Sequence, residues 1–505
     1  MSMPAENLNA VPTLAMLLEG YADAPPVEVM DMTIDSRRVA NGCVFIAVQG
    51  LNQHGIDHAA TAIERGAAAI VYDASTAAAP AVETSIPVVG VEGLAGVIGD
   101  IANRFFGYPS TEFAVYGVTG TNGKSTVAWM LARAYPILGR IAGYSGTLGQ
   151  GVAEFPIGET MTSPDVIELN RRLRAFRDAG ASAAAIEVSS HALDQGRVDG
   201  IEFEATLLTN LSRDHLDYHG DMRAYGAAKA KLFLDHPASH RIVNIDTDFG
   251  RDLASRLEED VITVSLKGSF EGVREASLEA SAFAEGASGS RVNIRSVFGD
   301  AHFLLGLPGH YNAANAALAI ACLCAGGVAL DDACAALAAI EAPPGRMQRV
   351  CGGNDLPGVF VDYAHTPDAL DVALTALREH TAGQLWCVFG CGGDRDKGKR
   401  PLMGQVAEQR ADRLVVTSDN PRSEPPANII NDILAGLANA GSATVIEDRG
   451  EAIARAISEA APGDVVLIAG KGHEDYQLIG GARLDFSDYA TAQAAMAGRG
   501  NREST

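Results

Sequence analysis

Residues 115 to 126 read Val-Tyr-Gly-Val-Thr-Gly-Thr-Asn-Gly-Lys-Ser-Thr. An apolar run enters this stretch, and helix-forming residues leave it, which is the strand–loop–helix setting a phosphate-binding loop needs. Gly120 and Gly123 let the backbone N–H groups of Gly120, Thr121, Asn122 and Gly123 close around phosphate oxygens, and the helix beginning at Lys124-Ser125-Thr126 adds a favourable dipole. Lys124 suits the β- and γ-phosphates, and the Ser125 hydroxyl suits Mg²⁺. Val118 stands where the common pattern places its first glycine, so the loop is Gly117-x-x-Gly120-x-x-Gly123-Lys124-Ser125. The competing reading is a tight turn whose glycines serve packing alone.

Three polar stretches follow, each beside an apolar strand candidate: Met161 to Asp165, Ala183 to His191 with Glu187, and Ala205 to Gly220 with Asp214 and His215. Parallel α/β sheets bind ligands at the carboxyl ends of their strands, so Glu187 and His215 can both face the phosphate loop and a divalent ion. Imidazole is an unusual Mg²⁺ ligand, which weakens His215 on chemistry alone. Lys229 lies in a helical run, where a lysine is ordinarily surface charge. Asn312 and Asn315 share a face near the start of an Ala-rich helix and suit either a base contact or capping.

Further on, strand candidates empty into mixed-charge loops: Asp362 to Asp368, Gly390 to Lys397, Ser418 to Arg422 and Gly470 to Asp475. Arg395 occupies the third glycine position of Gly-x-Gly-x-x-Gly, which argues against NAD or FAD. Arg395 and Arg422 suit carboxylates, and Asp419 and Glu474 suit ammonium groups, so these loops fit a zwitterionic substrate.

The elements that carry these loops predict an α/β protein of three domains. A small N-terminal α/β unit spans 1–110, a P-loop ATPase-type α/β domain 111–342 and a Rossmann-like α/β domain 343–505, with linkers at Tyr108-Pro109-Ser110 and Ala342 to Arg346. In the first unit, Asp35 to Arg38 and Gly50 to Gly55 flank one strand and can shape an anion pocket. The chain has 505 residues, 47% apolar and 20% charged, the balance of a soluble globular protein. Its formal charge of −24 argues against nucleic acid or an anionic membrane as partner. No signal peptide and no membrane-spanning run is read, and seven scattered cysteines fit reduced cytosolic thiols.

Taken together, Thr119-Gly-Thr-Asn-Gly-Lys-Ser125, Glu187-Val-Ser-Ser-His191, Asp214-His215, Leu307-Pro-Gly-His-Tyr-Asn312, Gly345-Arg346-Met and Asp362-Tyr-Ala-His365 resemble the Mur ligases of peptidoglycan synthesis, through essentially the whole chain. Gly390 to Arg400, Asp419-Asn-Pro-Arg422 and Gly470-Lys-Gly-His-Glu474 are similar to those of the member that adds a third amino acid, in its meso-diaminopimelate form. The resemblance implies a cytoplasmic, monomeric, ATP-dependent ligase. It would join meso-2,6-diaminopimelate to UDP-N-acetylmuramoyl-L-alanyl-D-glutamate through an acyl phosphate.

The same resemblance assigns residues. Ser36 and the Gly50 to Gln53 loop, with Asn52, would bind the UDP end of the substrate, and Thr162, Ser163, Ser189, Gln195 and Arg197 its muramoyl-peptide part. Lys124 would hold ATP phosphates, with Ser125, Glu187 and His215 around Mg²⁺. Lys229 matches a lysine that the family carbamylates into an anionic oxygen ligand for a second Mg²⁺. Asn312, Arg346 and Asp362 would lie near the nucleotide, and Arg395, Asp419, Asn420, Pro421, Arg422, Gly470 and Glu474 would grip diaminopimelate. The rivals are the same ligase using L-lysine, a folylpolyglutamate synthase-type ligase, a P-loop ATPase or GTPase switch and a non-catalytic nucleotide scaffold.

Overall fold

The computed structural model describes residues 11–50, 53–82, 84–156, 162–257, 261–268, 270, 276–285, 289–350 and 356–503. Asn52, expected at the UDP end of the substrate, lies outside the described residues. The chain divides into two compact units, Met1–Lys124 with Leu131–Ile262, and Ser125–Met130 with Thr263–Thr505.

The first unit opens with four parallel strands in sequence order: β1 (Asp31–Thr33), β2 (Cys43–Ala47), β3 (Ala69–Asp73) and β4 (Val88–Val91). The near-continuous apolar runs of the central strands β2 and β3 are buried on both faces, as parallel strands require. Next come β5 (Ala114–Thr119), β6 (Ala142–Gly146), β7 (Gly149–Val152), β8 (Ala183–Glu187), β9 (Phe203–Leu208) and β10 (Ala238–Asn244), in the order β10-β9-β5-β8-β6-β7. All are parallel to their neighbours except β7. Val118 pairs with Glu187 and Thr119 with Leu208, so the segments leaving β5, β8 and β9 emerge at one sheet edge. The Tyr108 to Ser110 segment is a packed turn in which Pro109 and Ser110 are buried.

Apart from Ser125–Met130, the second unit begins within β11 (Val261–Ser265), which pairs parallel with β12 (Leu278–Ala284). β13 (Ser290–Ser296) and β14 (Gly299–Leu305) then continue as an antiparallel meander. The expected strands at Val261 to Leu266 and Ser290 to Val297 are present. β12 and β14 were hidden, because small or polar residues fill so many of their positions that little alternation remains. The chain ends in a six-stranded sheet of β15 (Gln348–Val350), β16 (Gly358–Asp362), β17 (Leu385–Phe389), β18 (Arg413–Val416), β19 (Ala443–Val445) and β20 (Val465–Ala469). The order is β15-β16-β20-β17-β18-β19, with only β15 antiparallel. Asp362 pairs with Ala469, Ala469 with Phe389 and Phe389 with Val416, so four polar loops leave from one edge. A hairpin of β21 (Tyr476–Ile479) and β22 (Ala482–Asp485) follows the last of them.

Candidate active site

In the first unit, β5 ends at Thr119, and Gly120 turns the chain at φ +147°, with its α-carbon face against β9's exit. A Cβ there would sit 1.9 Å from Thr209 Oγ1, so only glycine fits. The loop is then tied to the exit of β9. Thr121 N donates to Asn210 O (3.0 Å) and Asn122 N to Asn210 Oδ1 (3.0 Å), while Asn210 Nδ2 donates to Asn122 O (3.0 Å). The Thr121 hydroxyl donates to Ser212 O at 3.1 Å. Gly123 caps the helix Lys124–Ile137 in the left-handed region, which puts Lys124, Ser125 and Thr126 in its first turn. Lys124 Nζ folds back onto Gly120 O (3.0 Å) and Thr121 O (2.9 Å).

Lys229 reaches the same loop from the helix Met222–Leu234, whose start is capped by Asp221. The buried face of that helix includes Tyr225, Ala228, Lys229, Leu232 and Phe233, so the lysine stands in the apolar stripe instead of on the solvent side. It is 1% exposed, and its Nζ donates to Gly120 O at 2.7 Å. Burial, and then the positive charge of Lys124, holds its pKa well below the ordinary lysine value. Lys231, two residues on, is the surface lysine and pairs with Asp194 at 3.2 Å.

Glu187 ends β8 and is 2% exposed. Tyr144 Oη donates to its Oε1 at 2.6 Å, Thr147 N to Oε1 at 2.8 Å and Thr147 Oγ1 to Oε2 at 3.2 Å. His215 is exposed, in the left-handed region, with Nε2 3.5 Å from Asp214 Oδ2. Its ring lies 4.9 Å from that of His191, and partial desolvation by the groups packed around them holds both imidazoles below their usual pKa. Among the described residues no group of three or more His, Cys, Asp or Glu side chains is placed to hold a metal. Glu187 and a serine hydroxyl have the oxygen chemistry Mg²⁺ prefers, and an unmodified lysine does not. A carbamate on Lys229 would complete an oxygen donor set.

Beside Glu187, Ser163 Oγ donates to Glu187 O (2.8 Å) and accepts from Ser189 N (3.0 Å). Arg197 donates to Ser163 O at 2.9 Å and Gln195 Oε1 at 3.1 Å, and Thr162 Oγ1 meets Thr147 Oγ1 at 3.1 Å. Thus Thr162, Ser163, Ser189, Gln195 and Arg197 form one connected patch. Ser36 is half-buried in the turn Ser36–Arg38, where Arg38 pairs with Glu168 at 3.0 Å.

In the second unit, Asn312 and Asn315 are buried near the start of the helix His310–Ala325. Asn312 Nδ2 donates to Pro308 O (2.8 Å), so its amide caps the local chain. Asp362, at the end of β16, accepts from Met347 N (2.8 Å) and Ala364 N (2.9 Å), and burial raises its pKa. The Arg346 guanidinium lies 4.4 Å from the Tyr363 ring centre, and the His473 ring lies 5.4 Å from it. Burial, and then Arg346, pushes the His473 pKa down to about 4, and its Nδ1 has no hydrogen-bond partner among the described residues.

Three of the four loops at the edge of the C-terminal sheet bring Arg395, Asp419, Asn420, Pro421, Arg422, Gly470 and Glu474 together. Asn420 Nδ2 donates to Glu474 Oε2 (2.7 Å), and Arg422 donates to Gly393 O (2.8 Å). Gly470 adopts φ +118°, and a Cβ on it would lie 2.6 Å from Asp419 Oδ2. Arg422, a non-glycine residue at φ +54°, is held by the hairpin: its N–H donates to Leu478 O, and Gly480 N donates to its carbonyl, both at 2.8 Å. Among the described residues, Arg395, Asp419 Oδ2 and Glu474 Oε1 keep no hydrogen-bond or ion-pair partner. The edge therefore offers two cationic side chains and two carboxylate oxygens to a ligand.

Three supporting groups escaped the sequence reading. Arg449 and Asp488 form a fully buried ion pair, with Nε–Oδ1 2.6 Å and Nη2–Oδ2 2.7 Å. The same guanidinium donates to Ser418 O (3.1 Å) and Ala469 O (2.9 Å), fixing where two of the four loops begin. Arg400, also fully buried, bridges Glu424 (2.9 Å) and Asp432 (2.9 Å) and, chiefly by its hydrogen bonds, lowers the Glu424 pKa to about 2. Lys471 lies beneath Asn420 and Glu474. One signal for Arg449 was present: a cation in the first turn of a helix opposes the helix dipole and needs a compensating partner.

Known proteins match this arrangement along its length. Residues 28–106 match the Mur ligase family catalytic domain, 118–323 the Mur ligase middle domain and 345–472 the Mur ligase glutamate ligase domain. The UDP-N-acetylmuramoyl-L-alanyl-D-glutamate–2,6-diaminopimelate ligase of Pseudomonas putida is 46% identical over 485 residues, 95% of this chain and 97% of that one. Its counterpart in Pseudomonas syringae pv. tomato is 47% identical over 484 residues, 95% and 97% of the two chains. A solved structure of an enzyme of the same name superposes with a TM-score of 0.72 at 32% identity, covering 97% of this chain and all of the other. With a glycine-rich strand–loop–helix turn, a three-domain α/β fold and this degree of likeness along nearly its whole length, the chain belongs to the Mur ligase family.

Proposed function

We propose that this chain is the ATP-dependent ligase that adds meso-2,6-diaminopimelate to UDP-N-acetylmuramoyl-L-alanyl-D-glutamate, acting as a cytoplasmic monomer. The observation that carries the reading is the C-terminal sheet edge, where Arg395 and Arg422 stand with Asp419 Oδ2 and Glu474 Oε1. Paired guanidinium and carboxylate groups suit an amino acid with ammonium and carboxylate at both ends. Relatives of that name at 46–47% identity support the same substrate. No helix among the described residues is long and apolar enough to cross a membrane.

In this reading residues 1–110 bind the UDP end of the substrate, with Ser36 and Asn52. Residues 111–342 bind ATP, and 343–505 bind the amino acid. Gly120 to Thr126 cradle the phosphates, and Asn312, Arg346 and Asp362 neighbour the nucleotide. Thr162, Ser163, Ser189, Gln195 and Arg197 hold the muramoyl peptide. Lys124 neutralises charge on the transferred phosphoryl group as the glutamyl carboxylate attacks it and ADP leaves. One Mg²⁺, held by Ser125, Glu187 and His215, and a second, held by carbamylated Lys229, would supply further neutralisation of phosphate charge. The depressed pKa of Lys229 supports carbamylation, since only a neutral amine adds to CO₂. The free amine of diaminopimelate then attacks the acyl carbon, and the tetrahedral intermediate expels phosphate to leave the amide.

The test is phosphate release with ATP, Mg²⁺ and the UDP-muramoyl dipeptide, adding meso-diaminopimelate, L-lysine or nothing. Release that depends on diaminopimelate is expected. Release with lysine alone would transfer the assignment to the lysine-adding ligase. Release indifferent to amino acid would point to an ATPase. Release with a folate substrate in place of the dipeptide would point to a folylpolyglutamate synthase-type ligase.

A further inference from the structure

Lys471 follows Gly470 on the loop leaving β20 and is 0% exposed, whereas His473 and Glu474 further along the loop are half-buried and Asp475 is exposed. A lysine this deep needs its donors satisfied. Its Nζ donates to Glu474 Oε2 (3.0 Å) and Asn420 Oδ1 (3.2 Å), and lies 5.4 Å from the centre of the Tyr476 ring. Asn420 closes the circuit. Its Oδ1 also accepts from Leu478 N (3.0 Å), which fixes the amide orientation, and its Nδ2 donates to the same Glu474 Oε2 at 2.7 Å. Glu474 Oε2 thus takes both internal bonds, and Oε1 is left as the outward atom.

We propose that Lys471 is a positioning residue for the amino-acid substrate. From beneath the site it clamps one oxygen of Glu474 and the amide of Asn420, so that Glu474 presents its other oxygen to the substrate ammonium in a fixed place. Without Lys471, the Glu474 carboxylate is held only by Asn420 and can rotate. The charge balance also changes, because the buried cation that offsets Glu474 is gone. This assignment rests on the reading of Asn420 and Glu474 as amino-acid ligands, and it adds a residue whose own atoms do not meet the substrate.

The experiment measures KM for meso-diaminopimelate, ATP and the UDP-muramoyl dipeptide in the full-length protein as wild type, K471M, E474Q and K471M/E474Q. K471M is expected to raise the diaminopimelate KM by about 10–100-fold, the scale of a lost charge-assisted hydrogen bond, while the other two KM values stay within about twofold. The double variant should be no worse than E474Q, because Lys471 acts through Glu474. If K471M does not fold, K471Q, which keeps a donor, is measured in the same way and should show a smaller but equally selective rise. An unchanged diaminopimelate KM in the Lys471 variant, parallel shifts in all three KM values, or multiplying effects in the double variant would overturn the proposal. An E474Q variant with unchanged diaminopimelate KM would instead remove Glu474 from the amino-acid site.

Discussion

Lys124 and Lys229, 105 positions apart in sequence, donate to one and the same backbone oxygen, the carbonyl of Gly120, at 3.0 and 2.7 Å. Two amines on one carbonyl cannot both remain protonated without mutual repulsion, and the buried one gives way. The glycine-rich loop after β5 therefore meets two amines, and the buried one, Lys229, is poised to be neutral.

The first prediction concerns the cation. Lys124→Ala should lower kcat by about 10³-fold or more while leaving the far-UV circular dichroism and melting temperature near wild type. Retained turnover would remove Lys124 from the reaction.

The second concerns the neutral amine. Intact-protein mass spectrometry at neutral pH under added bicarbonate should reveal one CO₂ on wild type and none on Lys229→Ala. The variant should lose most activity and regain part of it when a short carboxylic acid is supplied. An unmodified wild type with full activity would exclude the carbamate.

Arg422→Ala removes the bond to Gly393 O and one guanidinium from the sheet edge. The KM for meso-diaminopimelate should rise by about 10–100-fold, and the preference over L-lysine should narrow. Steady-state kinetics with both amino acids reads this directly, and unchanged values would take Arg422 out of the site.

Arg449→Leu would strand the Asp488 carboxylate in a site with no solvent exposure. A loss of about 3–5 kcal/mol is expected by urea denaturation, and the double variant R449L/D488L should recover much of it. A loss below about 1 kcal/mol would show that the pair is not holding the loops.

His473 gives a pH signature. The unfolded residue titrates near 6.5 and the folded one near 4, so between those values the unfolded chain binds a proton that the folded chain does not. Its contribution to stability is complete above pH 6.5 and is lost as the pH falls towards 4. The stability gap between wild type and His473→Gln should therefore shrink from pH 7 to pH 5. A gap constant over that range would contradict the depressed pKa.

What the sequence disclosed follows from how each part is encoded. The phosphate loop is contiguous, and Gly120 to Lys124 announce themselves by residue type and by the apolar strand before them. The polar loops of the C-terminal sheet were legible for the same reason, since each follows a short apolar run. Lys229 was the harder case. Its helix was evident, but its place in the apolar stripe emerges only when Tyr225, Ala228, Leu232 and Phe233 are put on one face. Arg449 and Asp488, 39 positions apart, and Arg400 with Glu424 and Asp432 are partnerships made by the fold, and each residue alone reads as ordinary surface charge. Strands β12 and β14 were obscured because alanine fills inward positions of β12 while Phe283 and Leu304 face outward.

The β21–β22 hairpin offers a way to watch the proposed amino-acid site without touching it. Leu478 at the end of β21 and Gly480 in the turn hold Arg422 by one backbone bond each, while a side chain at Gly480 or Gly481 would meet open space. Leu484, on the outer strand, is half exposed. A fluorophore attached at Leu484→Cys would ride on the same ribbon that sets the Arg422 backbone, so ligand capture by that arginine could be followed as an optical signal. Six of the seven native cysteines are buried and in no disulfide, which favours labelling at the new position once Cys351 is replaced.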